Sequence, residues 1–124
     1  MSTPIRLLIA DDHRLFVEAL EAILVGDERI KVVATAGDGR EAVKLARDLE
    51  PDVVLMDISM PVMDGIEAAR AIRADRADTC ILMLTASNSR EDVDRARQAG
   101  AAGYVTKDRV AAELIDAIIE IATT

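Results

Sequence analysis

Three carboxylates, one hydroxyl and one ammonium stand where apolar runs of the chain end. Asp11 and Asp12 close the run 5–10, Asp57 closes 53–56, Thr85 closes 81–84 and Lys107 closes 103–106. If those runs are parallel strands, all five side chains arrive at one edge of a sheet. That edge, outside the carboxyl ends of the strands, is where open α/β sheets bind ligands. Hard carboxylate oxygens suit a divalent cation such as Mg²⁺. A hydroxyl and a lysine beside them suit the oxygens of a phosphoryl group. The set points to metal-assisted phosphoryl chemistry.

The elements that must position these residues alternate along the chain. Strand-like runs lie at 5–10, 30–36, 52–57, 80–85 and 102–106, and helical patterns lie near 13–25, 39–49, 65–75, 89–99 and 109–122. In the first helix Phe16, Ala19, Leu20, Ile23 and Leu24 recur at helical spacing, as Ala42, Val43 and Ala46 do in the second. Gly26 and Gly100 mark helix ends, Pro51 separates the second helix from the third strand, and Gly65 follows Asp64, a candidate N-cap. Short Val-rich strands are expected where helices cover both sheet faces. The expected architecture is α/β: a doubly wound, five-stranded parallel sheet of flavodoxin-like type, (βα)5. Its expected strand order is 2-1-3-4-5. The last helix carries Val110, Ala111, Leu114, Ile115, Ala117, Ile118, Ile119, Ile121 and Ala122. These cover an arc of roughly 200°, about twice what a core-facing stripe needs. The arc reads as a deeply buried helix or as a surface for a second copy or another domain; the second reading is preferred.

Composition narrows the function classes. The 124 residues suit one domain, and 51% hydrophobic residues suffice for a packed core of Val, Ile, Leu, Met and Ala. A net charge of -8 argues against this chain gripping nucleic acid or an anionic membrane by itself. Cys80 is the only cysteine, so no internal disulfide forms, and a small buried hydrophobe is its expected role. The N-terminus lacks a long apolar run, from which a cytoplasmic location is expected by default.

These pieces resemble, along the whole length, the receiver domain of two-component response regulators. The opening Ile5-Arg6-Leu7-Leu8-Ile9-Ala10-Asp11-Asp12-His13-Arg14-Leu15-Phe16 is similar to the branch usually joined to a LuxR-type (NarL/FixJ-like) DNA-binding domain. The segment from Pro51 through Asp57 and Met60-Pro61 to Gly65 resembles the phosphoacceptor signature. Leu84-Thr85-Ala86 and Gly103-Tyr104-Val105-Thr106-Lys107 resemble the remaining motifs. These motifs, in order and at the right spacing, make the resemblance specific. It implies Asp57 as phosphoacceptor, a carboxylate being a competent nucleophile toward phosphorus. It implies Asp11, Asp12, Asp57 and the Ser59 backbone carbonyl as ligands for Mg²⁺ (or Mn²⁺). Lys107 and Thr85 would contact the phosphoryl oxygens. Tyr104 would turn inward with Thr85 and pass the change to the face of helix four, strand five and helix five. Ser59 and Ser87 would flank the site mouth, leaving it open to water, with a phosphoryl lifetime that is not unusually long. The implied partners are a sensor histidine kinase, a second copy through helix five, and DNA only through an output domain outside residues 1–124.

Blander roles stand beside these. Asp12 could cap the first helix, Thr85 could be an ordinary strand threonine, Lys107 a solvated lysine and Tyr104 a strand tyrosine with its hydroxyl at the surface. His13 is expected at the exposed start of the first helix, without a catalytic role. The family pattern places proline after the lysine, whereas Asp108 follows here. A cis bond without proline would cost ~2.5–4 kcal/mol, so a trans bond is expected, with Asp108 capping the last helix. Among competing functions, a receiver-like scaffold without phosphorylation would leave the acid cluster unused. A haloacid-dehalogenase-type phosphatase needs a second acid two residues after the nucleophile, where Ser59 stands. Nucleotide or flavin binding lacks a glycine-rich phosphate loop and aromatic stacking partners. The chain is therefore expected to be a self-modifying switch rather than an enzyme that turns over a separate substrate.

Overall fold

The computed structural model describes residues 3–86 and 89–123. Five parallel strands form one sheet in the order β2-β1-β3-β4-β5. The strands are β1 (Ile5–Ala10), β2 (Ile30–Ala36), β3 (Val53–Asp57), β4 (Cys80–Thr85) and β5 (Gly103–Thr106). The helices are α1 (Arg14–Leu24), α2 (Gly39–Leu49), α3 (Gly65–Asp75), α4 (Arg90–Gln98) and α5 (Val110–Thr123). The flavodoxin-like order and the element sequence agree with the expectation, with boundaries within a residue or two.

Alternation along the strands builds two cores. Leu7, Ile9, Val53, Leu55, Leu82, Leu84 and Val105 meet α1 and α5 on one face. Leu8, Ala10, Val54, Met56, Ile81 and Met83 meet α2, α3 and α4 on the other. Successive strand residues point to opposite faces, so a strand apolar at every position needs helices on both sides. All five residues of β3 are buried. In α1 the buried stripe is Val17, Leu20 and Leu24, flanked by half-buried Phe16 and Ile23, while Ala19 is exposed. Only Ala96 is buried within α4. In α5 Val110, Leu114 and Ile118 are buried. Ile115, Ala117, Ile119, Ile121 and Ala122 are half-buried against the same core, and Ala111 is exposed. Helix α5 is thus neither fully enclosed nor a free apolar face. Cys80 is half-buried rather than buried, its Sγ 3.5 Å from the Ile121 carbonyl.

Helix ends follow their side chains. The Asp38 and Asp64 carboxylates accept the backbone N–H of Glu41 and Glu67, capping α2 and α3. Gly100 ends α4 with φ +98°, a left-handed conformation natural to glycine. Two capping expectations are corrected. His13, not Asp12, holds the N-cap position of α1, because Asp12 still lies in the turn leaving β1. Asp108 does not cap α5: Lys107–Arg109 wind into a 3₁₀ turn that runs directly into the helix, with Asp108 inside the turn. The Lys107–Asp108 bond is trans, as expected. No helix among the described residues is long and apolar enough to cross a membrane.

Candidate functional site

Strand order reverses between β1 and β3, which pair side by side from Leu7↔Val53 to Ala10↔Met56. The crevice beyond this switch point receives Asp11 from β1 and Asp57 from β3, both 3% exposed. Ligand atoms of Asp11, Asp12, His13 and Asp57 all lie within 4.8 Å of one another. From β4 comes Thr85, 1% exposed, whose Oγ1 has no hydrogen-bond partner among the described residues. From the end of β5 comes Lys107. Its Nζ donates to Asp57 Oδ2 at 3.2 Å and stands 3.0 Å from Asp11 Oδ2. The second contact is shorter but lacks the alignment of a hydrogen bond, so it acts as a charge contact.

The remaining oxygens are held by local backbone. Asp57 Oδ1 accepts the Ser59 N–H at 3.2 Å, and Asp11 Oδ1 accepts the His13 N–H at 2.8 Å. The loop after β3 is tightly folded. Val62 has φ +70° and is 73% exposed, while the Met63 N–H donates to the Pro61 carbonyl at 2.7 Å. This is a positive-φ γ-turn, a strained conformation that is rare for a β-branched residue. Two glycines allow neighbouring chain to hold it down. A Cβ on Gly39 would lie 2.1 Å from the Met63 carbonyl oxygen, and one on Gly65 2.1 Å from the Asp57 carbonyl oxygen.

Burial and charge set the protonation states. Burial, and then repulsion from Asp11, push Asp57 above the ordinary carboxylate range, against the pull of Lys107. Burial pulls Lys107 down, but Asp11 and Asp57 together outweigh it and hold its ammonium above its ordinary value. Two buried acids facing one lysine leave negative charge uncompensated. Hard oxygen donors with an excess of negative charge fit Mg²⁺.

A family model described as response regulator receiver domain matches residues 7–119. The chain belongs to that family. The receiver domain is 43% identical over 114 residues to the transcriptional regulatory protein LiaR of Bacillus subtilis strain 168, covering 92% of this chain and 54% of that protein. It is 39% identical over 117 residues to the nitrate/nitrite response regulator protein NarP of Escherichia coli K12, covering 94% of this chain and 54% of that protein. The chain therefore spans about half the length of the curated relatives it matches. Among solved structures, the receiver domain of the NarL response regulator from Mycobacterium tuberculosis superposes with a TM-score of 0.93 at 35% identity, covering 98% of both chains. A LuxR-family two-component response regulator from Aurantimonas gives 0.92 at 38% identity, covering 97% of this chain and 86% of that one. The resemblance to the NarL and LuxR-type branch holds.

Asp11, Asp12, Asp57, Thr85 and Lys107 thus converge at one edge of the receiver domain, and Ser59 stands exposed beside them. Tyr104, 43% exposed on edge strand β5, is outside this cluster. Ser87 lies outside the described residues. Two contacts went unread in the sequence. The exposed His13 ring places Nδ1 3.1 Å from Asp11 and 3.3 Å from Asp12. The Phe16 ring centroid lies 4.7 Å from Lys107 Nζ, where the sequence offered only a core-stripe position. The spacing of Phe16 from Asp12, one helical turn on, was the available signal.

The Thr85 hydroxyl carries a prediction about stability. A buried, unpartnered hydroxyl costs about 1–3 kcal/mol. Thr85→Val keeps the shape and removes that cost, so the unligated domain should gain about 1 kcal/mol. A urea midpoint equal to or below that of the parent would show that the hydroxyl has a partner in solution.

Proposed function

We propose that this receiver domain is a phosphorylation-dependent signalling switch in which Asp57 accepts a phosphoryl group from a histidine kinase or a small acyl phosphate. The observation that carries the reading is the buried Asp57 carboxylate at the switch point, facing Lys107 and the Asp11–Asp12 pair. An Asp57 oxygen attacks phosphorus, the bond to the donor's leaving group breaks, and an acyl phosphate remains on the protein. The transition state is loose and highly charged, so positioning and electrostatics carry the catalysis. Asp11, Asp12, Asp57 and the Ser59 carbonyl would hold Mg²⁺, which when bound neutralises charge shared between carboxylates and phosphoryl oxygens.

Lys107 already sits on an Asp57 oxygen and would transfer its contact to the phosphoryl group. The unpartnered Thr85 Oγ1 would donate to another phosphoryl oxygen. Moving Thr85 toward the site frees space behind it, into which Tyr104 would turn. The response then reaches the face of α4, β5 and α5 as a population shift, because the phosphoryl group binds one arrangement better than the other. The reader of that face would be a LuxR-type DNA-binding domain elsewhere on the polypeptide, with pairing of two copies through α5 as the response. The domain modifies itself and turns over no separate substrate.

Acetyl phosphate with Mg²⁺ should add one phosphoryl group to the intact mass, and chelation by EDTA should prevent it. No gain with acetyl phosphate or phosphoramidate, in the presence of Mg²⁺, would reject the switch reading.

A further inference from the structure

Among the described residues, the Lys107 ammonium contacts two acids and one aromatic ring. Its Nζ is 3.0 Å from Asp11 Oδ2, 3.2 Å from Asp57 Oδ2 and 4.7 Å from the centroid of the Phe16 ring. The ring is half-buried on α1 and packs against the core shared by α1 and α5. Lysine carries its charge on a flexible four-carbon stem, so hydrogen bonds alone leave it several rotamers. An aromatic face within about 6 Å attracts a cation through its quadrupole and covers one side of it from water.

We infer that Phe16 is a positioning residue: its ring face holds the Lys107 ammonium over the gap between Asp11 and Asp57, where a phosphoryl oxygen would arrive. The inference rests on the proposed phosphoryl acceptance at Asp57 for its consequence, and on the ring–ammonium contact for its geometry. The two acids attract Lys107 toward the crevice floor. The ring, fixed to α1, restricts its sideways freedom. A pre-aimed ammonium loses less freedom when it meets a charged transition state, so the ring acts on rate through the lysine. Asp108, not proline, follows Lys107 directly, within the 3₁₀ turn.

Two measurements on the intact domain test this. In the first, phosphoryl incorporation from acetyl phosphate with Mg²⁺ is timed for the parent, Phe16→Leu, Phe16→Tyr, Lys107→Met and the Phe16→Leu/Lys107→Met double variant. Phe16→Leu should slow incorporation about five-fold, the scale of a partly buried cation–ring contact. Phe16→Tyr, which keeps the ring face, should restore the parental rate. In the Lys107→Met background, Phe16→Leu should leave the residual rate unchanged. Equal slowing with and without Lys107, or a parental rate in Phe16→Leu, would overturn the inference, since a packing role alone would do the first.

The second measurement does not depend on phosphorylation. The Lys107 ε-methylene protons should resonate upfield of those of Lys31 and Lys44, the other lysines of the chain, through the ring current of Phe16. That displacement should vanish in Phe16→Leu and persist in Phe16→Tyr. A parent that takes up no phosphoryl group yet shows the displaced resonance would refute the switch reading and keep the positioning contact. An undisplaced resonance would refute the contact, whatever the reactivity.

Discussion

Asp57→Asn should take up no phosphoryl group, and in the absence of metal it should melt at a higher temperature than the parent. The first outcome follows from the loss of the nucleophilic oxygen, since an amide does not form an acyl phosphate under these conditions. Phosphoryl uptake persisting in the variant would mean that another residue is the acceptor. The second outcome follows from electrostatics. Burial and the neighbouring Asp11 raise Asp57 above its ordinary value of 3.8 in the folded state, despite Lys107. Between that ordinary value and the raised one, the folded protein holds a proton that the unfolded chain has released. Stability therefore falls as pH rises through this window, and above it the folded domain carries the full cost of the charged carboxylate. Asparagine removes the charge and keeps the shape. A gain of about 1 kcal/mol is expected, in the range found for relief of strained functional sites, or about 4 °C in a domain of this size. The gain should shrink toward acid pH and when saturating Mg²⁺ stabilises the parent by mass action. Equal melting temperatures in EDTA at neutral pH would mean that Lys107 already compensates Asp57 in full.

Gly65→Ala should damage both stability and phosphoryl uptake with a single methyl group. Its Cβ would lie 2.1 Å from the Asp57 carbonyl oxygen, 2.9 Å from the carbonyl carbon and 2.9 Å from Ile58 Cα. All three atoms are backbone, so no side-chain rotation relieves the overlap. The Gly65 N–H also donates to the Ile58 carbonyl at 2.8 Å, which fixes the approach. Either β3 gives way at its end or α3 lifts from its cap. Overpacking of this kind costs about 3 kcal/mol. Displacement of the acceptor by about 1 Å can lower a positioned reaction about 100-fold. The denaturation midpoint should fall with an unchanged m-value, and phosphoryl uptake from acetyl phosphate should slow by that order. Near-parental stability and rate together would show that the loop after β3 relaxes freely.

Much of this was legible in the sequence, for physical reasons that can be named. Strands buried on both faces read as continuous apolar runs, so β1, β3 and β4 were placed to within a residue. The polar residue ending each run marked the site edge, which is why Asp11, Asp57, Thr85 and Lys107 were found without knowledge of pairing. Asp64 announced its cap by standing before an apolar-periodic segment. What failed depended on exact turn geometry. Asp12 and Asp108 both look like caps by residue type, but the first falls one residue short of the helix. The second is absorbed into a 3₁₀ turn. Phe16 could not be told from a core residue, because helical periodicity gives the face of a side chain and not what meets its far end. His13 was read as exposed, and it is, yet an exposed ring can still lean on a buried acid, Asp11.

Helix α4 contributes one buried residue, Ala96, to a domain whose other helices contribute at least three each. Local opening is cheapest where the fewest apolar contacts must be given up. Helix α4 is thus moored lightly, while the strand that carries Asp57 is buried at every position. Under the proposed switch reading, a small rearrangement at the crevice would meet a rigid anvil on one side and a soft spring on the other. Mechanical work done at the sheet edge would then be delivered toward α4 and not dissipated through the core.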